Sequence, residues 1–108
     1  RRRLLLSKAE NHIIIAGNWQ TECVYEITPM AAMDSFTIDG HIIQKLYANR
    51  TVYFDGESKR IYSASEPNKY PDCTLKQNSF PTLDPGRNSI GMSSTDVKVV
   101  LRYTPIYV

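Results

Sequence analysis

The stretch "SFTIDGHIIQKLYANRTVYFDGESKRIYSA", Ser35 to Ala64, decides the fold class. It holds four short runs rich in β-branched and aromatic residues. Asp39-Gly40 separates the first pair and Asp55-Gly56 the second, with a turn at Asn49-Arg50 between the pairs. Asp-Gly between two such runs is a hairpin signal, because a type I′ turn needs positive φ at both central residues and these two residue types allow it. Two such turns predict an antiparallel meander through the middle of the chain.

The same reading extends outward. Gln20 to Ile27 alternates, with Cys23, Tyr25 and Ile27 on one face and Glu22, Val24 and Glu26 on the other. Asp96 to Tyr103 closes the domain, with Val97, Val99, Leu101 and Tyr103 on one face and Lys98 and Arg102 on the other. Cys73 to Lys76 suits a short strand. Gln77 to Ser94 is rich in Asn, Ser, Pro and Gly and reads as a long loop. Near the N-terminus two signals compete. Ser7-Lys8-Ala9-Glu10 fits a capping box and predicts a short helix, while Ile13-Ile14-Ile15 favours a strand. The expectation is mainly β, a single small antiparallel barrel or sandwich of about six to eight short strands, with a short N-terminal helix.

The chain has 108 residues, 42% hydrophobic and 22% charged, which fits one globular domain spanning 1–108. Its formal charge of +2 is carried by the arm: setting Arg1, Arg2 and Arg3 aside leaves 10 of the 13 basic residues against 11 acidic ones. The body therefore presents no broad basic field for nucleic acid, and the Arg1–Arg3 arm is the one segment suited to it. Residues 1–6 read as a basic, then apolar, arm that something acidic or a neighbouring chain holds in place. No run approaches the roughly 20 apolar residues of a membrane span.

Cys23 and Cys73 are the only two cysteines. Two are too few for a zinc site, and they form no C-x-x-C motif. They are expected to form a disulfide, worth roughly 4 kcal/mol in the chain-entropy model for a loop of this length. That bond, with the sequon Asn49-Arg50-Thr51, points to a secreted, extracellular or periplasmic protein.

Catalytic patterns are sparse. His12, His41 and Lys45 are the residue types of a ribonuclease-like acid, base and anion stabiliser, although nothing in the sequence brings His12 near the other two. No Gly-rich phosphate loop, nucleophile elbow or H-E-x-x-H motif is present, and no cofactor is implied. Gly17-Asn18-Trp19 leading into a strand resembles the opening of calycin-type barrels, the lipocalin, fatty-acid-binding and avidin group. The resemblance implies a barrel around an apolar ligand, closed at one end by Trp19 with Arg102 across its face. Without it, Trp19 is simply the largest core side chain.

Contact segments are the clearer feature. Met30 and Met33 flank an apolar stretch between two strands, and methionine makes an adaptable surface. Ile106, Tyr107 and Val108 follow Pro105 and could add to another sheet edge. With Arg1, Arg2 and Arg3 they point to a non-catalytic exported domain. Its expected role is a structural or accessory subunit of a larger assembly, such as a filament, capsid or secretion complex. Its partners are then other protein chains or copies of itself.

Overall fold

The computed structural model describes residues 1–108. Its strands are β1 (Arg2–Leu6), β2 (Glu10–Ile15), β3 (Thr21–Pro29), β4 (Met33–Ile38), β5 (His41–Leu46), β6 (Val52–Asp55), β7 (Arg60–Ser63), β8 (Cys73–Thr74), β9 (Thr82–Leu83), β10 (Gly86–Gly91) and β11 (Val97–Tyr103). The only helical segments are two single 3₁₀ turns, Tyr70–Asp72 and Lys76–Asn78.

β3 organises the molecule. Its alternation places Cys23, Tyr25 and Ile27 fully inside. β11 pairs along one edge of it, and β6 and β9 along the other, all antiparallel. The main sheet runs β1-β11-β3-β6-β7, with β9 on β3. A second layer holds the sheet β4-β5-β8 and the ribbon β10-β2, linked by a bridge between Ile38 and Met92. One core of 20 buried side chains joins the layers, including Tyr25, Phe54, Val99 and Leu101 from the first and Phe36, Ile43, Ile15 and Ile90 from the second. The result is an open, sandwich-like β-domain. No sheet closes into a barrel.

Several expectations change. No N-terminal helix forms. Ile13 to Ile15 pair with β10, and the Ser7-Lys8 corner is wired by the buried Asn11 instead. Asn11 Oδ1 accepts from the Ser7 and Lys8 amides, and Nδ2 donates to the Lys8 and Ile90 carbonyls. The Arg1–Arg3 arm is an edge strand zipped to β11, with Arg1 reaching Glu57 at 2.8 Å. The middle of the chain is no simple meander, because β6 leaves β5 and pairs with β3. The expected loop 77–94 contains β9 and β10. Their pairing groups are satisfied by β3 and β2, partners more than fifty residues away in sequence.

Candidate interaction surface

Gly17 and Asn18 form a clamp for the C-terminal segment. The Asn18 amide donates to the Ile106 carbonyl at 2.9 Å. Its side chain donates from Nδ2 to Val108 O and accepts the Val108 N–H on Oδ1, at 3.0 and 2.8 Å. Gly17 is needed beneath it. It sits at φ +105°, and a Cβ there would stand 2.6 Å from the Ile106 oxygen. Thr21 Oγ1 extends the seam by donating to the Thr104 carbonyl.

The clamp holds backbone and leaves side chains outside. Tyr107 is 69% exposed, Val108 82% and Ile106 37%. Trp19, one residue beyond the clamp, is 59% exposed. Trp19 is therefore neither a core plug nor a barrel end. Arg102 does not cover it, because Arg102 ion-pairs with Glu26 on β3. The calycin pairing is not formed, and the ligand barrel goes with it: the interior is filled by side chains, and the concavities open at the surface.

The methionine segment divides. Met30 is exposed, while Met33 packs against the core. Asn49 lies in the exposed β5–β6 turn at φ +61°, its amide donating to the Pro29 carbonyl.

The ribonuclease set does not assemble. His12 is exposed on β2 opposite Ser89, beside a surface hollow lined by Ile13, Ile14, Arg87 and Asn88. His41 is buried, edge-on to Phe54, with Nδ1 accepting the Lys76 amide at 3.1 Å. Burial pushes its pKa below the ordinary 6.5, against the opposing pull of Asp39 and with the help of Lys76. Lys45 is exposed and pairs with Asp72 at 3.6 Å. No acid–base pair converges on a shared substrate position.

The disulfide is also absent. Cys23 and Cys73 are free thiols, one on β3 and the other on β8 in the opposite layer. Cys23 points into the core, and Cys73 donates to the Lys69 carbonyl. Burial raises Cys23 to about 12 and Cys73 to about 11. Both stay protonated at neutral pH and are poor nucleophiles.

Lys69 is the residue that sequence reasoning missed. Its side chain is fully buried. Nζ donates to the Lys45 carbonyl at 2.8 Å, lies 3.2 Å from Asp72 and lies 3.4 Å from both Glu66 oxygens. Its backbone amide donates to Ile61. It ties the segment 64–72 between β5 and β7. The signal was the pair of carboxylates three residues to either side, a spacing that elsewhere reads as a solvated charge run.

The structure is thus a sandwich-like β-domain with a filled core and with the apolar side chains of Trp19 and residues 106–108 facing outward. Residues 16–107 match the family described as siphovirus-type tail component, C-terminal domain. The match covers most of the chain, from just before the Gly17-Asn18 clamp to the segment it holds, and the chain belongs to that family. It is thus a structural component of a phage tail, whose partners are other protein chains of that assembly. No curated protein and no solved structure matches the chain. No helix is long and apolar enough to cross a membrane.

Proposed function

We propose that this domain acts without catalysis, as a contact module between tail chains, and that Trp19 with Ile106, Tyr107 and Val108 forms one contact surface. The family match over residues 16–107 is the observation that carries the reading. The clamp supports the choice of surface, because it fixes the backbone of a segment whose large apolar side chains remain in solvent. Aromatic anchors held on a rigid backbone lose little conformational freedom on binding. Export, expected from the cysteines, loses that support because the thiols are free. The exposed Asn49 sequon remains in its favour.

The test is genetic. Disrupting the coding sequence in the phage should give particles without complete tails, seen by negative-stain electron microscopy. Complete, infectious tails would overturn the reading. A Trp19→Ala, Tyr107→Ala variant should keep its circular dichroism spectrum and lower the yield of tailed particles at least tenfold. An unchanged yield would remove this surface from the proposal.

A further inference from the structure

The outward face of the main sheet has a charge pattern that the clamp does not explain. Strand registers set two rows across it. One runs Arg3, Arg102, Val24, Asp55, Arg60, and the other Leu5, Val100, Glu26, Tyr53, Tyr62. Five strands at about 4.8 Å spacing make this face ~19 Å wide between its outer strands. Lys98 lies one step further along β11, opposite Thr28.

The carboxylates within this face are engaged by neighbours, and Asp96, exposed at its margin just before β11, has no side-chain partner. Glu26 pairs with Arg102, Glu22 with Lys59 and Glu57 with Arg1. Asp55 accepts the amides of Glu57 and Ser58, both at 2.9 Å. Three cations remain without a carboxylate within reach: Arg3, Lys98 and Arg60. Arg60 leans over the Tyr62 ring at 4.6 Å, and Tyr62 stacks on Tyr53 at 5.1 Å. The apolar row is also open. Leu5 is 63% exposed, and Val100, Tyr53 and Tyr62 are half-buried.

We infer that this face docks an acidic segment of another protein chain, with carboxylates opposite Arg3, Lys98 and Arg60 and apolar side chains along the Leu5–Val100–Tyr53–Tyr62 row. The assignment rests on the reading of the chain as a tail contact module. Charge complementarity sets the partner's sign: Glu26, Glu22 and Glu57 are ion-paired, Asp55 is held by two amides, and the groups left without a side-chain partner are three cations against one marginal carboxylate, Asp96. Interleaving decides against a polyanion backbone. Glu26, Asp55 and Glu22 stand among the cations and would oppose an unbroken line of phosphates. A partner with separated carboxylates and apolar side chains avoids that opposition.

The experiment titrates the purified chain with a synthetic peptide of alternating Glu and Leu, read by amide chemical shifts and fluorescence anisotropy. Shifts should centre on Arg3, Leu5, Lys98, Val100, Arg60 and Tyr62. The variant Arg3→Gln, Arg60→Gln, Lys98→Gln should weaken binding at least tenfold. Its charge-matched control, Lys8→Gln, Arg50→Gln, Arg87→Gln, should change it less than about twofold. Equal losses in the two variants would overturn the inference, as would tighter binding of oligodeoxythymidine at the same face. A dimer of the free chain that the first variant abolishes would make the occupant a second copy and overturn it too. Single Lys98→Gln and Arg60→Gln changes should follow the same order, and they decide the matter should the triple change disturb folding. Binding is measured on the isolated chain. Its failure therefore leaves tail incorporation untouched, and a failure of incorporation leaves the binding result standing.

Discussion

Asp-Gly occurs twice between paired strands, and the two copies do different work. At Asp39-Gly40 the dipeptide is the whole turn. Both residues have positive φ, 48° and 81°, and Ile38 pairs directly with His41. That is a type I′ corner, and local preference accounts for it. At Asp55-Gly56 the register joins Asp55 to Arg60, so the loop is Gly56–Lys59, and its left-handed residue is Lys59 at φ 59°. Gly56 is glycine for another reason. It is buried against β3, donates to the Cys23 carbonyl at 2.8 Å, and leaves no room for a side chain. A Cβ there would lie 2.4 Å from the Pro81 oxygen and 2.7 Å from that of Cys23. One glycine serves a dihedral angle, the other a tertiary contact.

Substitutions separate the two roles. Gly56→Ala should have the largest effect, because the obstructing atoms are backbone carbonyls that cannot step aside. A loss of about 3 kcal/mol is expected, comparable to overpacking a core site. Thermal unfolding should show it as a fall in Tm of roughly 10–20 °C for a domain of this size; an unchanged Tm would mean that Gly56 serves no tertiary contact. Gly40→Ala should cost about 1 kcal/mol, the penalty of positive φ. The Cβ there meets only the Lys76 side chain, at 2.8 Å, and that chain can swing away. Gly40→Asn should recover part of the loss by the same measurement, whereas Gly56→Asn should not. Asp55→Ala should also cost about 1 kcal/mol by leaving the Glu57 and Ser58 amides without their acceptor.

The smallest expected effect tests what lies behind the first turn. His41 follows Gly40 and is held neutral by burial, with its pKa lowered from 6.5. Its unfolded pKa lies near that ordinary value, so at pH values below it the unfolded chain binds the proton more readily. Stability from this residue is fully present above about pH 6.5 and is lost as pH falls through the window down to the folded pKa. Urea midpoints should drop on acidification through this range more in the wild type than in His41→Gln. Equal pH dependence in both would show that the ring is not the group responsible.

The two turns also mark where the sequence was legible. Alternation identified the inward faces of β3 and β11, since the two-residue period is a property of the strand itself. It did not reveal that β6 joins β3 rather than β5, because either edge would accept a strand of that pattern. Ile106 to Val108 were legible as an apolar stretch in an awkward place and are exposed, whereas Met33 of the other such stretch packs against the core. Trp19 was misplaced because size and hydrophobicity favour burial on average, whereas the neighbouring Asn18 clamp holds this strand entrance at the surface. Lys69 was passed over for the opposite reason. A lysine between carboxylates belongs in water by composition, and only the packing of β5 and β7 around segment 64–72 encloses it.

By itself the sequence determined an antiparallel β-domain and the first hairpin with its turn type. These depend on dihedral preference and side-chain period, which act over a few residues. Tertiary structure alone decided the partners of β1, β2, β6 and β10, the free state of Cys23 and Cys73, the burial of His41 and Lys69, and the exposure of Trp19. Each of these depends on groups dozens of residues apart meeting at one point, and no local preference carries that information.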